Sequence, residues 1–219
     1  MRGWARWFVH VGCFVVSLRT FDLVCVCVCG VCVCVCVCCD QELGHGSFVR
    51  GLETTATNDQ ETQEFELHSP TITSTKWWIG AAGQTATHSA VYARLIVGGE
   101  DKGVHVFVVQ LRDLETHAVM PGVSLGDCGA KMGRDGIDNG WIRFDHVRIP
   151  RDYMMMKHAQ VSEDGVYTKP PRAAVAYGAL LAGRSSMVKD SADWLKLATT
   201  IAVRVVPCLT GPVQSAACA

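Results

Sequence analysis

The stretch "WIRFDHVRI", Trp141–Ile149, decides how the chain is read. Apolar and charged residues intermix at a spacing of two. The run is rich in aromatic and β-branched residues, and Asp138-Asn139-Gly140 leads into it. Asn-Gly is a strong signal for a tight two-residue turn, so the stretch reads as a strand entered through a hairpin. Three more strand patches lie upstream. They are "EFELHSPTITS" (Glu64–Ser74), "HSAVYARLIV" (His88–Val97), closed by the turn "GGEDKG", and "VHVFVVQL" (Val104–Leu111). Short strands at this spacing, with no helices between them, predict an all-β barrel or sandwich.

Outward from this core the character changes on both sides. Upstream, residues 40–60 are polar and glycine-rich, with Gly44, Gly46 and Gly51 permitting tight turns. Downstream, "VSEDGVYTKPPR" (161–172) reads as a linker loop. Ala173–Arg204 is alanine-rich with apolar residues at helical spacing and reads as the start of a helical domain. Residues 205–219, with two prolines, read as an irregular tail.

The N-terminal segment is of another kind. Residues 24–39, "VCVCVCGVCVCVCVCC", hold eight of the twelve cysteines. Strict C-x-C alternation does not match the paired spacing of a zinc site, and neighbours two apart on a strand rarely have bridging geometry. Leu23–Cys39 is uncharged, but it is at the short edge for a membrane span and its alternating valines make a poor helix. The preferred reading is the translation of a GT dinucleotide repeat, so residues 1–39 are taken as low-complexity and irregular. Soft-metal array, membrane and strand readings stay as alternatives. The rest of the chain is cysteine-poor, as in a reducing compartment. A net charge of −1 gives no support to a nucleic-acid-binding surface.

No nucleophile, zinc-protease, Walker or dinucleotide-loop motif is present. His105 sits in an apolar strand and reads as a packed or edge histidine. His45, between two glycines, reads as a turn residue. Two stretches suit ligand holding instead. In "QELGHGS" (41–47) the glycines let consecutive N–H groups converge on an anion or carbonyl. In "KWWIGAAG" (76–83) two tryptophans precede small residues, which suits a flat heterocycle and its phosphates. Core packing is the alternative for Trp77 and Trp78, and the one that composition alone favours.

These stretches carry a resemblance. "ELGHGS", "RGLETTAT", "SPTITSTKWWIG", "GQTATHS", "PGVSLGD", "IDNG", "VRIPRDYMMMKHAQV" and "DGVYTKP" resemble the central region of peroxisomal acyl-CoA oxidases, flavin relatives of the acyl-CoA dehydrogenases, over Glu42–Arg204. The resemblance implies a middle β-domain (40–160) bearing one face of an FAD site, followed by a helical domain. It implies fatty acyl-CoA and molecular oxygen as reactants, trans-2-enoyl-CoA and hydrogen peroxide as products, a homodimer, and the peroxisome as location. It also implies roles for particular positions. Gly80 matches a glycine that contacts FAD, and Trp77 and Trp78 line the flavin side. Ser47 matches a serine near the acyl-CoA. Gln41 stands where the family has an FAD-contacting threonine. The family's catalytic glutamate is expected beyond Ala219, so no residue here takes that role. The alternatives are an inactive FAD- or acyl-CoA-binding fragment and an acyl-CoA dehydrogenase.

Overall fold

The computed structural model describes residues 16–17, 23–28, 31–39, 41–46, 48–133, 135–171 and 178–210; within 16–39, 178–184, 186 and 206–210 it describes the backbone alone. The chain divides into two compact units, Met1–Pro171 and Arg172–Ala219.

The first unit is built of strands: β1 Val16–Ser17, β2 Leu23–Val28, β3 Val31–Cys39, β4 Thr55–Asp59, β5 Glu64–His68, β6 Lys76–Gly80, β7 His88–Val97, β8 Glu100–Gln110, β9 Val123–Asp127, β10 Asn139–Phe144, β11 Val147–Pro150, β12 Gln160–Val161 and β13 Tyr167–Thr168. Among the described residues, an eight-stranded sheet runs β1-β2-β3-β7-β4-β5-β11, with β8 on the other edge of β7. A three-stranded sheet runs β6-β10-β9, and β12 pairs β13. β3 and β4 lie parallel to β7 at His88–Val91 and Arg94–Ile96, one after the other along it.

Backbone chemistry explains several boundaries. Gly98 and Gly99 both have positive φ (59° and 80°), and Val97 faces Glu100. This two-residue turn matches the strand twist, so β8 begins at Glu100, earlier than the longer "GGEDKG" turn expected from sequence. Alternation is clean in β5, where Phe65 and Leu67 are buried and Glu64, Glu66 and His68 lie towards solvent. The shared core joins Phe65 and Leu67 to Val91, Leu95, Phe107, Val109, Ile142, Phe144 and Ile149. Phe65 and Phe107 meet edge-on at 5.2 Å between centroids. Each large side chain so buried contributes roughly 1.5–3 kcal/mol.

Other expectations need correction. Trp141–Ile149 is two strands in two sheets, β10 and β11, divided at Asp145-His146. Asn139 and Gly140 are strand residues facing Gly80 and Ile79, not a hairpin tip. Glu64–Ser74 ends as a strand at His68, and 161–172 contains the small β12–β13 pair. The Val-Cys run, expected to be irregular, has extended backbone, with β2 and β3 antiparallel; its sulfurs lie outside the described residues.

In the second unit a helix, α1, spans Gly178–Thr210 and so continues past Arg204 through Pro207. The tail expected from 205 is helical to Thr210; 211–219 lie outside the described residues. Asp193 accepts from Lys189 and Lys196, each at 3.0 Å, at spacings that bring side chains together on a helix. No helix among the described residues is long and apolar enough to cross a membrane.

Candidate functional site

The two stretches singled out in the sequence lie side by side. Leu43 N–H donates to Thr75 O (2.8 Å), Gly44 N–H to Thr73 O (2.9 Å) and Trp77 N–H to Gln41 O (3.3 Å). Residues 41–45 thus extend the edge of β6. Gly44 permits this approach, since a Cβ there would lie 2.9 Å from the Thr73 Cβ. The expected cradle of free N–H groups is therefore absent at 42–45. Glu42 and His45 N–H donate to each other's carbonyls at 3.3 and 3.0 Å, so those four donors are used within the fold.

Beneath this contact lies an ion pair that sequence reading missed. Glu42 Oε1 and Lys76 Nζ are 3.0 Å apart, and both side chains are fully buried. Glu42 also accepts from Glu53 N–H (2.8 Å), Thr54 N–H (3.1 Å) and Thr54 Oγ1 (2.6 Å). Lys76 Nζ donates further to Tyr92 O at 2.7 Å. Burial alone would raise the Glu42 carboxyl. The Lys76 ammonium and these hydrogen bonds outweigh it and hold the group below its ordinary 4.5. The loop at 42, the start of β6 and the centre of β7 are thereby tied at one point.

The Trp77-Trp78 doublet is a β-bulge. Lys76 faces Ile142 and Ile79 faces Gly140, so both tryptophans stand opposite the single residue Trp141. Trp78 takes up the extra residue at φ 63°, a left-handed conformation that is costly for a bulky side chain. As a result Lys76 and Ile79 are buried, Trp77 is half-buried, and Trp78 is 48% exposed. The core-packing alternative therefore does not apply to Trp78. Gly80 follows, partly buried, against Asn139.

The chain after Gly80 is clamped from two sides. The Asp138 carboxylate accepts from Gly83 N–H (2.9 Å), Gln84 N–H (3.0 Å) and Thr85 N–H (3.2 Å). The buried Arg112 guanidinium donates to the carbonyls of Ala82 (3.0 Å), Gly83 (2.9 Å) and Ala86 (2.8 Å). Burial pushes Arg112 down from its usual value and Asp138 opposes that shift. Gly140 completes the junction: a Cβ there would meet Gly83 N at 2.4 Å and Gly126 O at 2.6 Å.

Gln41, Trp77, Trp78 and Gly80 are therefore gathered on one rigid edge; Ser47 lies outside the described residues. His45 is held under this edge with both ring nitrogens buried and unpartnered, Nε2 being 3.6 Å from Glu42. His105 is structural, bridging Gly103 O and the Tyr167 hydroxyl, each at 3.0 Å. Burial pushes the Cys128 thiol up, against a hydrogen bond from Trp78 N–H, so the sulfur beside the bulge is not a ready nucleophile. The edge thus offers a half-exposed indole on a fixed backbone, while the His45 nitrogens stay buried beneath it. An exposed aromatic face beside fixed backbone suits a flat ring system, and in that respect fits a flavin. Asp138 and Arg112 escaped sequence reading because their partners are backbone atoms, which leave no side-chain motif.

Residues 41–147 match the sequence family described as acyl-CoA dehydrogenase, middle domain. The chain is 57% identical over 163 residues to acyl-coenzyme A oxidase 3 of Yarrowia lipolytica, covering 74% of this chain and 23% of that protein. It is 52% identical over 163 residues to peroxisomal acyl-coenzyme A oxidase 1 of Bos taurus, covering 74% of this chain and 25% of that protein. The structure of Caenorhabditis elegans acyl-CoA oxidase-2 bound with FAD, ascaroside-CoA and ATP superposes with a TM-score of 0.67 at 46% identity, over 68% of this chain and 22% of that one. The chain thus spans about a quarter of the length of the curated relatives it matches.

Proposed function

We propose, on the premise that residues 41–147 belong to the acyl-CoA dehydrogenase middle-domain family, that the chain supplies the flavin-facing part of an acyl-CoA oxidase. The complete enzyme converts a fatty acyl-CoA and dioxygen into trans-2-enoyl-CoA and hydrogen peroxide in the peroxisome, as a homodimer. The identity of 57% to an oxidase across 163 residues carries this reading above the dehydrogenase alternative.

Trp77, Trp78 and Gly80 would hold FAD, which would supply hydride acceptance from the acyl β-carbon and electron transfer to dioxygen. The chain's own residues hold and position. Trp78 offers an aromatic face fixed outward by the bulge, with Trp77 beside it. Gly80 allows close backbone approach. The Asp138–Arg112 clamp keeps the following loop from shifting, and so preserves that approach. Gln41 lends its carbonyl to Trp77 N–H, so its backbone position is fixed whatever its side chain contacts. Removal of the α-proton needs a positioned base, and no side chain among the described residues is assigned that task.

Replacing the corresponding segment of the Yarrowia lipolytica oxidase with residues 41–147 tests the reading. Retained FAD, and peroxide formed in air on adding acyl-CoA, support it. A folded chimera that holds no FAD sinks it. A flavin-loaded chimera that turns over only with an added electron acceptor moves the reading to a dehydrogenase.

A further inference from the structure

His68 is distant in sequence from the adjacent pair Asp145-His146, and the three meet at the corner where β5 ends and β11 begins. The β5–β11 register pairs Leu67 with Val147, so one step further places His68 opposite His146. Their rings stack at 4.0 Å between centroids, 20° from parallel. Asp145 Oδ1 lies 3.8 Å from His68 Nδ1 and 3.9 Å from His146 Nε2. One ligand atom from each of the three residues lies within 4.8 Å of the others.

Two further features suit a cation. His68 Nδ1 is buried and has no hydrogen-bond partner. His146 Nδ1 lies 2.7 Å from Glu66 Oε1. An ionised carboxylate only accepts, so Nδ1 carries the proton and the lone pair of the neutral ring is on Nε2, towards Asp145. This carboxylate–histidine arrangement is the one that orients metal-binding imidazoles. His146 is held at φ 50° in the link between two sheets, so its backbone position is not arbitrary. Arg148 is the cation nearby, 3.6 Å from Glu66, and it is also paired with Asp59 and Glu64.

We propose that His68, Asp145 and His146 bind a divalent transition-metal ion such as Zn²⁺, oriented by Glu66. Two imidazoles and a carboxylate are a normal zinc donor set, with water completing a tetrahedron. Bonds of about 2.0 Å put tetrahedral ligands about 3.3 Å apart. The observed 3.8 and 3.9 Å separations are about half an ångström longer, and the stacked rings must turn for their lone pairs to converge on the ion. The site shares no residue with the bulge, and its occupancy is independent of the proposed function.

The test is a ZnCl₂ titration of the chelator-stripped full chain, followed through the imidazole ¹⁵N resonances. These report the histidines directly, so any zinc held by the twelve cysteines does not contribute to the signal. The expected result is a single saturable step in which His68 Nδ1 and His146 Nε2 shift together. His146→Ala is expected to abolish the His68 shift. Glu66→Gln, which keeps all three ligands, is expected to weaken binding about 10–100-fold. Imidazole resonances that stay fixed while zinc binds, or an unchanged affinity in Glu66→Gln, overturns the proposal.

Discussion

Glu42 and Lys76, separated by more than thirty positions in the chain, form a fully buried ion pair at 3.0 Å beneath the edge that carries the tryptophan bulge. Removing one partner leaves the other charge in the core. Glu42→Ala and Lys76→Ala are each expected to cost about 3–5 kcal/mol in chemical denaturation. The double replacement Glu42→Met with Lys76→Met is expected to recover only the part due to the buried charge, because Glu53 N–H, Thr54 N–H and Tyr92 O still lose their hydrogen bonds to the pair.

The same pair sets an acid limit. The folded-state pKa of Glu42 lies below its ordinary 4.5. Its contribution to stability is therefore complete above that ordinary value and is lost as pH falls through the depressed one. Denaturation midpoints measured from pH 6 downward are expected to fall below pH 4.5. In Glu42→Gln that limb is expected to flatten.

The strain at Trp78 predicts a separation of stability from binding. Glycine tolerates φ 63°, and the replaced indole is half exposed. Trp78→Gly is therefore expected to leave the unfolding free energy within about 1 kcal/mol of the parent, since relief of strain offsets lost packing. Thermal melts check this; a much larger loss would mean the indole serves the core.

Glycine at 140 answers to backbone proximity. Gly140→Ala puts a methyl 2.4 Å from Gly83 N and 2.6 Å from Gly126 O, atoms that cannot rotate away. A cost of about 1–3 kcal/mol is expected. Gly136→Ala meets nothing within 4 Å and is expected to be neutral in the same melt.

The β-class was legible because Phe65 and Leu67 follow the two-residue period, and because the apolar run His88–Val97, buried on both faces over Ser89–Ala93, is a strand with the predicted bounds. The break at Asp145-His146 was not legible, because strand switching between sheets leaves the local pattern intact. β4, "TATND", was hidden in a polar segment because one face of it meets solvent. At the candidate site, Trp77, Trp78 and Gly80 were readable as residue types beside small neighbours. Their bulge was not, since it exists only relative to Trp141. The Glu42–Lys76 pair and the Asp138–Arg112 clamp depend on contacts between distant positions and on backbone partners, neither of which a single sequence displays.

The most direct measurement of the central claim is an FAD titration of the purified chain, read by quenching of tryptophan emission, alongside Trp78→Gly. Aromatic stacking is worth about 1–3 kcal/mol per ring. Saturable quenching by FAD is expected in the parent, with an affinity about tenfold weaker in the variant. No flavin-dependent change in a folded chain, or equal affinity in both proteins, would contradict the claim.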